Sequence, residues 1–577
     1  MKKWVFRDST ADPPPADWGE ALCISPALLA LLWRRGLASA EGMDAFLKPS
    51  LSRLTPPPLW PQIPGAARLL KNALLKGAKP VVWGDYDVDG VTATALCLDV
   101  LDAHGIHARH HLPDRDAEGY GLNVPAIEAL AGEGCDLLLT VDCGISDVAA
   151  VARARELGMT VIVSDHHLPP EELPPADAIC DPRMESAGEF PCADLAGVGV
   201  AFFLMAALNA ELAPHPKTRY EMDRALDLVA LGTLADLMPL RGENRILVHG
   251  GLRHIARARR PGVAALKEVC EHDIAAVMTS GQVSFRMAPR INAAGRMEQA
   301  ETALRLLRER DYTEARRLAL RLDELNQARR AEEDRIFAEA RGQVEAMLAG
   351  GPQPALVLYG ENWHPGVIGI VASRIVEEYY RPTVILCSDH GSLKGSARSV
   401  REFDLHAGLT QTADCLMGFG GHRSAAGLRL APERLGEFRA AFTHAVEKEL
   451  GSAALAPQLT LECEIDLEQA SSLSFIRELD LLQPFGMGNA EPVFASTPLT
   501  VIRHAFIGRD RKHILLQVRD KKSGVSMRAK GWRLAEDYPP PCLQGRDIRL
   551  AFTLNLDTFN DVESADMEIR DIEIVGG

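Results

Sequence analysis

The 577-residue chain has no stretch approaching the roughly 18 to 20 uninterrupted apolar residues of a membrane span. Its first ten residues, MKKWVFRDST, hold too short an apolar run for a signal peptide. A cytoplasmic protein without a membrane partner is therefore expected. The eleven cysteines include no C-x-x-C pair. That argues against structural zinc, and an odd, scattered set suits a reducing compartment. Positive charge is also short: 63 Lys and Arg against 79 Asp and Glu give a net charge of −16. Such a chain is no general nucleic-acid coat, and any contact with nucleic acid must use local basic surface. A composition 47% hydrophobic and 25% charged excludes a wholly disordered or collagen-like chain. At ~150 residues per domain the length predicts roughly three or four domains.

Residues 1–75 are rich in proline and tryptophan (PPPADW, LTPPPLWPQIPG) and read as an N-terminal extension that packs on a domain. From Pro80 apolar runs of strand length alternate with helical stretches: PVVWG, HARHHLP, CDLLLTV and TVIVS are the strands. Continuous apolar strands between helices predict an α/β fold, a parallel sheet covered on both faces. A second α/β alternation starts at Pro354, with ALVLYG, a helix through Val367–Tyr380 and PTVILCS. From about Leu459 short β-like segments predict a β-barrel. Between the two α/β regions, Asp311 and Glu314 form a capping box before a long helical stretch. Its stripe Ala315, Leu318, Leu322, Leu325 meets Arg329 and Glu332 where apolar residues should follow, and Ile336 resumes it. A helix polar all round at its middle is expected to bridge domains through solvent. The alternative is an ordinary surface helix kinked near Gly342.

Acidic and imidazole groups follow four apolar runs: Asp85-Tyr86-Asp87-Val88-Asp89-Gly90, Asp142-Cys143-Gly144, Asp165-His166-His167, and Asp236. The first three fall at the carboxyl ends of expected strands, where open parallel sheets bind ligands. One such Asp commonly caps a helix, but three strand ends carrying Asp, Asp and His-His are a constellation. Carboxylate and imidazole without thiolate suit Mn²⁺ or Mg²⁺. Two ions about 3.5–4 Å apart serve in-line phosphoryl displacement. Asp85 and Asp87 are spaced to face neighbouring cations, with Asp142 between them. His104, His107, His110 and His111 cluster around a strand without suitably spaced acids and read as structural.

Two further regions carry chemistry. In Gly395-Ser396-Ala397-Arg398-Ser399 small residues flank one arginine, and hydroxyl, backbone N–H and guanidinium can surround a phosphate. Gly420-Gly421-His422 lets backbone approach a ligand closely. Arg115 and Tyr120 flank a Gly-rich turn. Residues 503–533 hold ten Lys and Arg against two Asp. This local excess of positive charge, with Phe506 and Trp532 nearby, fits an OB-fold that binds single strands by backbone attraction and base stacking.

DYDVDG, Asp142 after a strand, DHH and Asp236 resemble the four motifs of the DHH phosphoesterase superfamily. WHPGVIGIVASRI, GSARS and GFGGHRSAAG resemble its associated domain, DHHA1. LPDRDAEGYGLN and FRMAPRINAAGRM are similar to its single-strand-specific 5′→3′ DNA exonucleases. The resemblance implies two ions held by Asp85, Asp87, Asp142, His166 and Asp236, with Asp142 bridging. It implies that Asp165 orients an imidazole and that His167 sits beside the scissile phosphate. Some members carry His where this chain has Trp83, which puts a histidine ligand to the first metal in doubt. By the same resemblance Arg115, Ser396 and Arg398 hold the 5′-terminal phosphate and Tyr120 lies against the strand end. His422 also belongs to the substrate site, and Arg290, Asn292 and Arg296 contact the nucleic-acid path. The implied organisation is an N-terminal extension (1–75), a DHH domain (76–310), a connecting helix (311–350), a DHHA1 domain (351–452) and an OB-fold (456–577). The implied substrate is single-stranded DNA, degraded to mononucleotides in recombination and repair, with a single-strand DNA-binding protein and a helicase as partners. An oligoribonucleotide or cyclic-dinucleotide phosphodiesterase and a catalytically inactive DNA-binding relative are the alternatives.

Overall fold

The computed structural model describes residues 2–7, 13–115, 117–184, 192–213, 215–451, 455–539, 542–559 and 562–575. Asp116, within LPDRDAEGYGLN, lies outside them. The chain opens with β1 (Lys3–Phe6), followed by helices Pro26–Arg34 and Ala40–Leu47. Ser25 and Ser39 cap these helices by accepting from Leu28 N (3.2 Å) and Gly42 N (3.0 Å).

The first α/β unit is a five-stranded parallel sheet of β2 (Pro80–Trp83), β3 (Arg109–His111), β4 (Leu137–Val141), β5 (Thr160–Ser164) and β6 (Ala178–Cys180). Its order is β3-β2-β4-β5-β6. Strand β6 was not read from the sequence, because AIC is too short to show a period. Both faces are covered. Val82, Leu137, Leu139 and Ile162 join one core with Phe203 and Leu231, while Val81, Trp83, Leu138 and Val161 join another with Ile127 and Val151. Helices α1 (Val88–Ala103), α2 (Gly197–Leu212) and α3 (Leu226–Ala235) pack side by side on the first face. All three are apolar on nearly every side, as fully enclosed helices are. Helix α4 (Gly242–Arg257) lies on α3, and a π-helical turn at Val283–Met287 leads into α5 (Ala288–Met297).

Helix α6 runs unbroken from Tyr312 to Ala349, 38 residues, about 57 Å at ~1.5 Å per residue. Asp311 caps it by accepting from Glu314 N at 2.9 Å. Ala315, Leu318, Leu322 and Leu325 belong to the core of the first unit, and Ile336, Ala340 and Val344 to that of the second. The expected solvent bridge at its middle is corrected. Arg329 is 8% exposed and donates to Asn326 (3.3 Å) and Glu333 (2.9 Å), and Arg374 reaches the same Glu333 at 2.9 Å. The break in the apolar stripe is thus a buried polar network, satisfied by side chains three and four residues apart.

The second unit holds β7 (Leu356–Gly360), α7 (Ile368–Tyr379), β8 (Thr383–Asp389), β9 (Ser392–Arg398), β10 (Gly418–Gly421) and β11 (Ala425–Leu430), with sheet order β10-β11-β9-β8-β7. Only β7 and β8 are parallel. Next, β12 (Gln458–Leu461) pairs in parallel with β1.

The last module comprises β13 (Glu464–Ile465), β14 (Phe494–Ser496), β15 (Leu499–Ile507), β16 (His513–Asp520), β17 (Ser526–Gly531), β18 (Asp547–Phe559) and β19 (Val562–Ile574). Strand β15 pairs β16, β16 pairs β17, β17 pairs β19 in parallel, β19 pairs β18 and β18 returns to β15. These pairings close a five-stranded ring with the connectivity of an OB-fold. Leu28, Leu32 and Met43 share its core with Phe494, Ile514 and Phe552. The N-terminal helices therefore complete the C-terminal module, while helix Ile63–Leu75 packs in the first unit. Among the described residues no single helix is long and apolar enough to cross a membrane.

Candidate metal centre

The first unit gathers its acids where β2, β4 and β5 end. Asp87 caps α1: its Oδ1 accepts from Asp89 N (2.9 Å) and Gly90 N (3.1 Å). Gly90 is required there, because a Cβ would fall 2.4 Å from Asp85 N. Asn292 on α5 steadies the same turn, accepting from Val88 N at 3.2 Å. Asp142 follows β4 with a φ of +62°, a left-handed conformation costly for a non-glycine residue and common at functional sites. Asp236 is the C-terminal cap of α3.

Three groups of ligand atoms lie within 4.8 Å of one another: Asp85, Asp87 and Asp142; Asp89, His166 and Asp236; and Asp142, His166 and His167. His166 Nε2 is 3.1 Å from Asp142 Oδ1 and 3.6 Å from Asp236 Oδ2. Asp142 thus stands between the first two groups. The buried atoms Asp85 Oδ1, Asp142 Oδ1 and both ring nitrogens of His166 have no hydrogen-bond partner. Unpaired buried carboxylates facing one another are costly unless a cation joins them. With oxygen and imidazole donors and no thiolate, these residues fit divalent manganese or magnesium.

The electrostatics agree. Burial first, then the neighbouring carboxylates, push Asp85, Asp89 and Asp142 well above the usual carboxylate range. Burial and Asp87 push Asp236 up to about 7. Burial and the neighbouring His167 bring His166 down to about 3, leaving a neutral imidazole. Burial opposes charge on His167, but its hydrogen bond to Asp165, with Asp236 and Asp87 beyond, holds it up to about 9. Asp165 Oδ1 meets His167 Nδ1 at 2.8 Å and accepts from His166 N (2.7 Å), and Oδ2 accepts from Ile145 N (2.9 Å). Tyr120 Oη lies 3.1 Å from His167 Nδ1 and donates to Asp142 O at 3.2 Å.

The sequence reading passed over Asp89. It is 1% exposed, and its carboxylate accepts from Gly197 N (2.7 Å) and Val198 N (2.9 Å) at the start of α2. The signal was present in the D-x-D-x-D spacing, but a third acid inside a helix's first turn reads as an ordinary dipole partner. Trp83 is buried on the opposite face of the sheet, its ring tilted against His111 with centroids 4.0 Å apart, and offers no ligand. The four decoy histidines diverge: His104 meets Asn209, His107 Asp102, His110 Glu301 and His111 Glu118.

A cationic pocket adjoins these acids. Arg398 ends β9, so Gly395–Arg398 of the GSARS motif is strand. Its Nη1 donates to Ser396 Oγ at 3.2 Å. A Cβ on Gly369 of α7 would lie 2.9 Å from Ser396 Oγ and 3.2 Å from Arg398 Nη2. Burial and then Arg115 lower Arg398; burial, Arg115 and Arg329 bring Arg296 down to about 10. Arg296 Nη1 donates to Gly366 O at 3.0 Å, joining the two α/β units, and Arg115 lies 5.4 Å over the Tyr86 ring. Arg115, Arg296 and Arg398 have no carboxylate partner among the described residues. His422 is exposed in the β10–β11 hairpin, its N–H donating to Ala425 O at 2.8 Å. The Arg290 guanidinium donates to Asp323 (2.8 Å), Arg286 O (2.6 Å) and Val269 O (3.1 Å), so it braces α5 against α6.

The chain matches the DHH family, N-terminal domain, over residues 79–233, the DHHA1 domain over 353–448 and the RecJ OB domain over 461–571. The single-stranded-DNA-specific exonuclease RecJ of Bacillus subtilis is 36% identical over 561 residues, 96% of this chain and 69% of that protein. The same protein of Haemophilus influenzae is 36% identical over 569 residues, 96% and 97% of the two. The crystal structure of RecJ in complex with Mn²⁺ from Thermus thermophilus superposes with a TM-score of 0.82 at 31% identity, covering 99% of this chain and 79% of that one. The Mg²⁺ complex of that protein gives a TM-score of 0.74 at 30% identity, covering 99% and 78%.

If Asp89 is a ligand, Asp89→Asn weakens Mn²⁺ binding by at least about tenfold, as even indirect metal partners do. Calorimetry measures this, and unchanged affinity would leave Asp89 as a cap for α2 alone. The raised carboxylates bind protons more tightly folded than unfolded. The metal-free protein therefore loses their contribution as pH rises from the unfolded carboxylate range, about 4, to the folded value of about 7 at Asp236. Metal replaces those protons. The gain in unfolding temperature on adding Mn²⁺ should be larger at pH 8 than at pH 6. A gain that shrinks with pH would exclude proton exchange at this cluster.

Proposed function

The chain belongs to the RecJ family of single-stranded-DNA-specific exonucleases in the DHH superfamily, and from that premise we propose that it digests strands from the 5′ end into mononucleotides. It is a metal-dependent phosphodiester hydrolase. The observation that carries the polarity is the arginine trio. Three cations without carboxylate partners stand beside the acids, and a terminal phosphate supplies the missing charge while presenting the first phosphodiester to the metal centre.

In this reading Asp85, Asp87 and Asp142 would hold one cation, and Asp89, His166 and Asp236, beside Asp142, would hold the other. Bound there, divalent cations supply Lewis-acid charge at the scissile phosphoryl group. His167, cationic at neutral pH, offers its Nε2–H to a phosphoryl oxygen. Asp165 fixes the ring through Nδ1, and Tyr120 limits its rotation and borders the strand end. Arg398, Ser396 and Arg115 grip the terminal phosphate. Arg296 ties the two units at Gly366 and sets the width of the gap between them. Asn292 acts at a distance, by holding the turn that carries Asp87.

The OB-fold supports capture of longer strands. Of its ten basic residues in 503–533, Arg503, Arg509, Arg511, Arg519, Lys522, Arg528 and Arg533 have no carboxylate partner among the described residues. Lys512, Lys521 and Lys530 do. Arg511 lies 5.1 Å over the Phe506 ring, and Trp532, 49% exposed, meets His513 at 4.9 Å. Aromatic faces beside free guanidinium groups at the β15–β16 hairpin suit stacked bases. A single-strand DNA-binding protein and a helicase are the partners this activity calls for in recombination and repair.

Arg398→Ala should weaken 5′-phosphorylated strands by about 10- to 100-fold, the worth of a charge-assisted contact. Strands with a 5′-hydroxyl should lose much less. Equal loss for both ends would place Arg398 on internal backbone. For the barrel, the structure rules out simple truncation, because removal of residues 456–577 would strip the core from Leu28, Leu32 and Met43. Neutralising Arg509, Arg511 and Arg533 to Gln in the full chain is the clean test. The slope of log K against log salt should flatten by about 0.7 for each lost phosphate contact. An unchanged slope on a long strand would take these residues off the DNA path.

A further inference from the structure

At the start of α4 three parts of the chain meet around a cavity of about 320 Å³. The first is the N-terminal segment, with Arg7, Arg35 and Phe46. The second is the start of α4, with Arg241 and Arg245. The third is the loop Gly488–Ala490 of the C-terminal module. The guanidinium groups outnumber their counter-charges. Arg245 is 2% exposed and has no carboxylate partner among the described residues. It donates instead to Phe46 O (2.9 Å), Gln483 O (2.7 Å) and more distant carbonyls of Leu481 and Pro484, with its plane 3.8 Å over the Phe46 ring. The Arg35 side chain is 7% exposed. It donates to Glu462 (2.7 Å), Asn489 Oδ1 (2.8 Å) and Ala490 O (2.9 Å), and its buried Nε has no partner. Arg7 uses only Nε, on the same Glu462 at 3.1 Å, and Arg241 only Nε, on Gly488 O at 3.1 Å. Among the described residues, therefore, these four cations share one carboxylate, and the terminal nitrogens of Arg7 and Arg241 have no hydrogen-bond partner.

Buried cations are ordinarily paired, and their mutual repulsion is expensive in low dielectric. Burial, aided by Arg35, brings Arg245 down to about 10, the mark of a cation lacking an anion. Arg241 is also the N-terminal cap of α4, whose 16 residues direct their positive dipole end toward this cavity. The opposite wall is apolar: Leu37, Ala45, Phe46 and Ile246. The volume is at the lower end of the ~300–1,000 Å³ range of small-molecule sites.

We propose that this cavity binds a small phosphate-bearing anion, its phosphate between Arg7, Arg35 and Arg241 and any planar body against Phe46 and Ile246. Occupancy neutralises the cation cluster and ties the N-terminal segment, the catalytic unit and the C-terminal module together. It thereby stiffens the joint through which the OB-fold is held. The ligand chemistry is that of free inorganic phosphate or of a nucleoside 5′-monophosphate. The second rests on the mononucleotide product proposed above; the first does not.

The test uses the full-length Arg398→Gln variant in chelator, which disables the arginine pocket beside the acids and leaves the metal centre empty. Inorganic phosphate and dAMP are titrated in separate calorimetric runs. The expected result is one-site binding that weakens at least tenfold when Arg7→Gln and Arg241→Gln are added. Both side chains are partly or largely exposed at their tips, so the fold should be retained, and a circular-dichroism melt checks it. Tighter binding of dAMP than of phosphate identifies the nucleotide as occupant, and equal binding identifies free phosphate. Absence of binding by either probe to the Arg398→Gln variant, or equal binding by the variant lacking Arg7 and Arg241, overturns the proposal. Digestion of single strands by otherwise unaltered protein is read separately, so failure here is distinct from failure of the exonuclease reading.

Discussion

Everything near the centre depends on holding negative charge out of water. Asp85, Asp89, Asp142 and Asp165 are each at most 3% exposed, and Asp87 and Asp236 stand against them. A fold can tolerate that concentration only if backbone dipoles are aimed at it before any cation arrives. Here they are. Asp87 takes two N–H groups at the start of α1, Asp89 takes two at the start of α2, and Asp165 collects amides from Ile145, His166 and His167. Two helix N-termini and the ends of three parallel strands converge on one point, which is what a doubly covered parallel sheet makes available. The left-handed backbone of Asp142 is part of the same construction, since a Cβ on Gly197 would lie 2.5 Å from Asp142 Oδ1. The first turn of α2 is closed down on the acid as far as glycine permits.

Charge is then separated by residue role. Acids that lack hydrogen-bond partners on one oxygen face the cluster, whereas Asp165, fully engaged by amides and by His167, is kept ionised below the usual carboxylate range despite its burial. Two adjacent histidines accordingly differ: His166 is neutral and His167 cationic. The difference comes from Asp165, which bonds the ring of one and only the backbone of the other. A neutral imidazole suited to a cation and a cationic one suited to an anion are thus made from the same side chain at consecutive positions.

What the sequence made legible follows from how each signal arises. Parallel strands buried on both faces announce themselves as apolar runs, and acids at their ends are conspicuous against them. Asp85, Asp87, Asp142 and the Asp165-His166 pair stood out for that reason, whereas Asp236, which ends helix α3, stood out against an apolar helix. Asp89 did not, because its partners, Gly197 and Val198, are more than a hundred residues away and nothing local distinguishes it from a helix-dipole acid. Arg290 shows the same limit from another side: its motif gives no sign that Asp323 on α6 engages its guanidinium. The polar middle of α6 was misread as solvent-facing because Arg329 is satisfied within the helix itself and by the network around Glu333. Long-range pairing is invisible to a local period, and buried polar networks imitate surface.

The same limit hid the chain's closure. Residues 1–75 read as an extension that packs on a domain, but not on which: β1 pairs with β12, and the helices that follow fill the core beneath the OB-fold. The C-terminal module is therefore held from both sides: by the continuous chain through the second α/β unit, and by the N-terminal segment returning to the first. Arg245 on α4 marks where those routes meet, donating both to Phe46 O in the N-terminal segment and to Gln483 O before the barrel. Independent tethers make a closed loop of modules, and a closed loop cannot hinge freely about any single linker. Helix α6 adds a third strut, packed at both ends and bonded at its middle. The spacing between the cationic pocket and the acids is thus set by packing across several units, not by the strand that enters. The distance from the pocket of Arg115, Arg296 and Arg398 to the acids of the candidate metal centre is therefore a fixed ruler, built into the protein before any ligand enters.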